Sequence, residues 1–423
     1  MSKKVFINPD FLLTTRAARE LYHGYAEKLP VIDYHTHLPP EEAALDIRWT
    51  DPAEIWLAHD HYKWRQMRWN GIDERFITGD APWKEKFVRF AETMEKLVGN
   101  PLFDWTQLEL KRFYGIDERL CGANALRVWA KCAKKLKERD FSAQGLLRKA
   151  KVEVVCTTDD PSSDLRYHQM LAKHPCGVKV LPTFRPDRVL AEALKTKKDP
   201  MEYLAERHRH FERHGCRLAD YGPWEVPEKG PYADWLFECM KLDAKAGWAV
   251  QIHFNCWRNL NPTLWKSFGA DAGADAIGCA DANKALARLF ARLERADAMP
   301  NTILYPLNPR DLEMTAALAG CFERGPAKGR VQLGAPWWFM DQKYGIRRVL
   351  DTVGALGALG NFVGMLSDSR SFFCATRHEY FRRLLCQKLG EEVEKGELPS
   401  DLDWLGKVVA DISYYNAKDY FGF

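Results

Sequence analysis

The sequence contains no run of about 18 consecutive apolar residues, so no membrane-spanning helix is expected. Its opening stretch, MSKKVFINPDFLLTTRAARE, begins with positive charge but lacks the apolar core of roughly 7–15 residues that a secretory leader needs. The 11 cysteines are scattered, odd in number and never spaced as CxxC, which argues against a zinc ribbon and fits reduced thiols in a cytoplasmic protein. No block of Lys or Arg stands out, and the formal net charge is only +4 over 423 residues. Nucleic acid and membrane surfaces are therefore not expected partners. A small acidic substrate would require only a few local arginines. Short repeats, low-complexity tracts and flexible linkers are absent as well.

What recurs instead is a short apolar run that ends in polar residues. Eight such runs follow one another, at 30–37, 151–161, 178–187, 215–222, 248–254, 302–311, 330–338 and 362–370. Each reads as a strand buried on both faces. Between them lie segments with helical spacing of apolar residues, such as DWLFECMKLDAKAG (234–247), which stops at a glycine, and ANKALARLFARLERAD (282–297). Eight β-then-α units predict an α/β protein of the (β/α)8, TIM-like barrel type, with its chemistry at the C-terminal ends of the strands. Residues 1–37 would begin the barrel with an N-terminal helix and the first strand. Residues 38–150 are too long for a simple crossover, and patterns such as KEKFVRFAETMEKLV predict an inserted helical subdomain over the barrel mouth. Residues 151–423 would complete the barrel and its C-terminal helices.

His35 and His37 lie at the end of the first run, in VIDYHTH. Alternate residues of a strand share a face, so both imidazoles can aim at one divalent ion. The bland alternative is a pair of loop histidines. Asp368, after the last run, supplies a carboxylate next to the first strand if the barrel closes, and otherwise reads as a loop or capping residue. His253, after the fifth run, reads as a ligand, a substrate contact or a hydrogen-bonded structural residue. Arg185, Arg258 and Arg370 also follow strands, where guanidinium groups can take a carboxylate bidentately. Two other stretches are set aside. HRHFERH (208–214) is expected on an exposed helix, and GALGALG (354–360) has neither the spacing nor the position of a dinucleotide fingerprint.

Longer strings then match a known family: DHYKWRQMRWNGIDERFITGDA, TTDDP, FRPD, WRN, ILYPLNPRD, WWFMDQKYGIRRVLD, FVGMLSDSRSF and TRHEYFRRLLCQKLGEEVEKGELP. The chain resembles uronate (glucuronate) isomerases of the amidohydrolase superfamily over nearly its full length. The resemblance implies one divalent metal ion, commonly Zn²⁺, and aldose–ketose interconversion of D-glucuronate with D-fructuronate and of D-galacturonate with D-tagaturonate. It implies His35, His37 and Asp368 as metal ligands. It implies Tyr62 and Arg370 as the groups working near the substrate's C1 and C2, and Arg185 as a substrate contact; Asp368 is further expected to share in catalysis, and His61, His253, Arg258 and Trp337 to meet the substrate. A homo-oligomer is also expected. The chain departs from the family pattern at Asp220-Tyr221-Gly222, His253-Phe254-Asn255 and Gly334-Ala335-Pro336, positions expected to lie near a substrate. Two competing readings are a metal-dependent hydrolase on the same barrel and a sugar-acid binder without activity. The absence of a lysine after the fourth run favours a single metal over two.

Overall fold

A computed structural model describes residues 5–423 of the chain. Its core is built from parallel strands covered by helices. Strands β1 (Val31–Asp33), β2 (Val152–Cys156) and β3 (Lys179–Leu181) form one parallel sheet in that order. Strands β4 (Leu218–Tyr221) and β5 (Ala249–Phe254) begin a second. Between β5 and the next core strand lies a two-stranded antiparallel hairpin, β6 (Cys256–Trp257) with β7 (Ala276–Ile277). Strands β8 (Thr302–Pro306) and β9 (Val331–Leu333) complete the second sheet, which runs β4-β5-β8-β9 and is parallel throughout. All six residues of β5 are buried, as expected for a strand covered on both faces, and this is why the core strands appear in the sequence as near-continuous apolar runs.

Isolated parallel bridges link these sheets. Phe184 pairs with Asp159 on one side and Ala219 on the other, carrying the pairing from the first sheet to the second. Thr36 pairs with Ser369, so that residues near the chain's end lie beside the extension of β1. Seven of the eight expected runs thus contain a laddered strand. The eighth, 362–370, does not, and the reason is local. Its backbone passes through positive φ at Gly364 (+77°) and Asp368 (+48°). Side chains satisfy several of its amides: Val363 N donates to Gln332 Oε1 (3.0 Å), and Ser367 N to Asp33 Oδ1 (2.8 Å). The β6–β7 hairpin was not foreseen.

Between β1 and β2 every regular element is helical. The important one here is His61–Trp69. Asp60 caps it, accepting from the Tyr62 amide at 3.0 Å and also binding Lys63 Nζ at 2.5 Å, both groups being buried. Among the outer helices, Asn283–Arg295 buries Ala285, Leu286, Leu289, Phe290 and Leu293 along one face, while Arg292 and Arg295 complement the negative end of its dipole. The helix Met201–Arg213 departs from expectation. His208 is buried, not solvated: its Nε2 lies 3.1 Å from Asp243 Oδ1 and its ring stacks on Trp248 at 3.9 Å. Among the described residues no helix is long and apolar enough to cross a membrane.

Candidate active site

His35 and His37 are brought onto one face by the residue between them. Thr36 turns the other way and donates its Oγ1 hydrogen to Cys156 O at 2.9 Å. Backbone hydrogen bonds then dock the end of the chain against this segment: His37 N donates to Ser369 O at 2.7 Å and Asp368 N to His35 O at 3.1 Å. Asp368 sits between these two bonds with φ at +48°, a sparsely populated region for a side-chain-bearing residue. Its Oδ1 is 3.4 Å from His35 Nε2 and 3.2 Å from His37 Nε2. Ligands held about 2.1 Å from one divalent ion are themselves about 3.0–3.4 Å apart in tetrahedral or octahedral geometry. The three donors therefore have the spacing and the chemistry of a metal ligand set. Burial, followed by the nearby Arg370 charge, holds the His37 imidazole down to about 4, which leaves it neutral with a lone pair to offer. For Asp368, burial alone would favour the acid, but His35 and His37 outweigh it and hold the carboxyl well below its usual range.

On the other side of Asp368, Tyr62 Oη donates to Oδ2 at 2.5 Å. The phenol ring stacks on Trp338, with centroids 5.3 Å apart and planes 11° from parallel, and the Arg377 guanidinium lies 5.3 Å from its centre. Burial first, and then the Asp368 carboxylate, raise the Tyr62 pKa well above that of a free phenol, while Arg377 and Arg370 oppose the rise.

A second grouping shares His35. Asp220 Oδ1 binds His253 Nδ1 at 2.8 Å, and its Oδ2 lies 3.9 Å from His35 Nδ1. This grouping already has a cation: Arg185 Nη1 is 2.9 Å from Asp220 Oδ2, and Arg185 Nε is 2.7 Å from Asp187. An ion bound there would have to share Asp220 with that guanidinium, whereas no guanidinium is in ion-pair contact with Asp368 among the described residues.

These groups wall a cavity of about 380 Å³. Of the residues singled out from the sequence, His35, His37, His61, Arg185, His253 and Arg258 line it, as do Trp337, Asp368 and Arg370. Tyr62 does not; it reaches the cavity through its hydrogen bond to Asp368 and borders a smaller neighbouring cavity of about 280 Å³. The three departures from the family pattern prove less central than expected. Tyr221, Asn255, Ala335 and Pro336 are not among the lining residues. Tyr221 follows inward-facing Asp220 and so points outward, where its hydroxyl binds Asp243 at 2.6 Å. Asn255 uses its amide on Ala280 O and Asp311.

Several residues at the site were given no role from the sequence: Asp220, Asp159, Asp271, Trp338 and Arg377. Asp220 ends a strand and could have been found by the rule that found His253. Asp159 stands in the TTDDP string and Arg377 in RHEYFRR, but nothing in their spacing separates them from structural residues. Asp271 follows no core strand.

The chain is similar to known proteins over nearly its whole length. The family described as glucuronate isomerase matches residues 3–228 and 228–421. A uronate isomerase of Shouchella clausii is 41% identical, with 99% of this chain and 98% of that protein covered, and one of Histophilus somni is 42% identical, with 98% and 99% covered. Among solved structures, the uronate isomerase of Thermotoga maritima superposes with a TM-score of 0.91 at 30% identity, covering 98% of this chain and 99% of that one. The glucuronate isomerase of Caulobacter crescentus shares the fold, with a TM-score of 0.88 at 23% identity over 98% and 97% of the two chains. The chain belongs to the glucuronate isomerase family, and is an enzyme of the uronate isomerase type.

Proposed function

We propose that the chain is a metal-dependent aldose–ketose isomerase interconverting D-glucuronate with D-fructuronate and D-galacturonate with D-tagaturonate. The observation that carries this reading is the convergence on Asp368: two imidazoles on one oxygen and the Tyr62 phenol on the other. Within it, the strands form one (β/α)8 ring, with 362–370 as the eighth stave and 38–150 as a helical insert over the mouth. His35, His37 and Asp368 hold one divalent ion, of which Zn²⁺ suits two imidazoles and a carboxylate. When bound, that ion would act as a Lewis acid on the sugar's oxygens.

The chain's own residues do the rest. The reaction moves a proton between C2 and C1, and the C2–H bond is far too weakly acidic for an ordinary side chain at neutral pH. Negative charge developing on the oxygens must be stabilised by several kcal/mol. Tyr62, its phenolate favoured by the Arg370 charge, takes the carbon proton from one carbon and returns it to the other. Asp368 carries the hydroxyl proton between oxygens. Arg370 supplies positive charge beside both. Arg185, held by Asp187 and Asp220, takes the substrate carboxylate, and His61, His253, Arg258 and Trp337 shape the remaining wall. The same reading makes the enzyme a cytoplasmic homo-oligomer acting on a free small-molecule uronate.

The test is a substrate panel on metal-loaded protein, glucuronate and galacturonate against amides and lactones, with His35→Ala as control. Isomerisation of a uronate that is lost in His35→Ala supports the reading. Hydrolysis of an amide or lactone with no uronate turnover contradicts it.

A further inference from the structure

Arg370 faces the cavity, and among the described residues the one carboxylate in ion-pair contact with it is Asp271, whose Oδ2 is 3.2 Å from Arg370 Nη2. Asp271 comes from an unexpected place. It lies in the segment between the helix Pro262–Phe268 and β7, and not at the end of a core strand. This segment is strapped to the helix that carries Tyr62. Arg65 Nη1 donates to Gly273 O (3.1 Å) and Asp275 O (2.8 Å), and Arg68 Nη1 donates to Ala272 O. Arg68 is itself fixed by Glu74 at 2.8 and 2.7 Å. From the other side, Asn259 N donates to Asp275 Oδ1 at 2.7 Å and Leu260 N to Ala274 O at 2.9 Å. The strap fits closely: Gly273 has φ +83°, and a Cβ there would come within 2.9 Å of His61 O. Asp271 itself is held at φ +58°.

We propose that Asp271 is a positioning residue for the reaction: anchored by the strap, its carboxylate fixes the Arg370 guanidinium beside Tyr62 and Asp368. The strap thereby locks the Tyr62 helix and the Asp368–Arg370 turn, which are about 300 residues apart in sequence, into one geometric unit. A gate is the rival role, in which incoming substrate would push Asp271 aside. The anchoring of residues 272–275 from both sides disfavours it, since it holds in place the backbone that carries Asp271 to Arg370.

The proposal rests on the isomerase reading, and its test separates the two. Wild type, Asp271→Asn and Asp271→Glu are assayed on the preferred uronate, with hydrogen exchange across 366–374 measured on the same samples without substrate. Asp271→Asn should lose at least about tenfold in kcat with KM changed less than about threefold, and Asp271→Glu, which keeps the charge, should recover part of the loss. Exchange across 366–374 should rise in Asp271→Asn. Wild-type kcat and KM in Asp271→Asn overturn the proposal. So does a change in KM alone, which would mark a gate or a binding group. If Asp271→Asn fails to fold, Gly273→Ala, which must lift the strap from His61, decides through the same kcat loss. If wild type turns over no uronate, the isomerase reading has failed, and the exchange measurement alone judges the strap: unchanged exchange overturns it.

Discussion

Tyr62 gains through tertiary contact a partner that its own stretch of sequence does not announce. In isolation it is an aromatic in the second position of a short helix, and packing would be sufficient explanation. Its hydroxyl, however, is 2.5 Å from Asp368, and removing that oxygen leaves the ring stack on Trp338 in place. Tyr62→Phe should therefore lower turnover by at least about 10²-fold while the melting temperature stays within a few degrees. Unchanged turnover would remove Tyr62 from the mechanism. That His35, His37 and Asp368 come together was legible in the sequence because strand alternation and the side-by-side pairing of parallel segments are general rules that need no knowledge of neighbours. Asp271 and Arg377 were not, because an ion pair between a loop and a distant turn leaves no periodic trace. Asp220 falls between these cases. Its position after a strand was visible, but its partners Arg185 and His253 come from other strands.

The strands and helices show the same division. Seven apolar runs became laddered strands because burial on both faces leaves a continuous apolar signal. The eighth run is apolar for the same reason, yet side chains and positive-φ residues replace its ladder, and no sequence pattern distinguishes the two outcomes. The helix Thr376–Glu394 tests the packing directly. Gly390 faces the helix Arg16–Leu21, and a Cβ there would lie 2.5 Å from Ala18 N and from Thr15 Oγ1. Gly390→Ala should destabilise the protein by about 1–3 kcal/mol, because backbone cannot yield as a flexible side chain would. Denaturant unfolding reads this, and a neutral result would show that the two helices part easily.

Beneath the cavity, Thr157 bridges two buried titrating groups: its Oγ1 donates to Asp159 Oδ2 at 2.6 Å and is 2.8 Å from His168 Nε2. Burial holds the Asp159 carboxyl up at about 7 and the His168 imidazole down at about 4. Between pH 4 and 7 the folded Asp159 keeps a proton that the unfolded chain has lost, so its contribution to stability falls as pH rises. Between pH 6.5 and 4 the unfolded chain protonates a histidine that the folded protein keeps neutral, so the His168 contribution falls as pH drops. Asp159→Asn should accordingly gain on wild type as pH rises through this range, and His168→Gln should gain as it falls, each by a few kcal/mol. Urea titrations at pH 4.5 and 7 that ran parallel for all three proteins would contradict this assignment.

In the whole molecule the start and the end of the chain meet at His35, His37 and Asp368, and the helix His61–Trp69 brings Tyr62 to the same point. A cation that binds only the folded protein must also stabilise it, by about 2.7 kcal/mol at a hundredfold excess over its Kd. Zn²⁺ should thus raise the melting temperature of metal-stripped protein, and His37→Ala should abolish the rise. The most direct measurement titrates metal-stripped protein with Zn²⁺ while following bound metal and glucuronate turnover together. On the single-ion reading, turnover climbs in step with binding and saturates at one ion per chain, with Asp368→Ala showing neither. Full turnover in the stripped protein, or a requirement for two ions per chain, would contradict it.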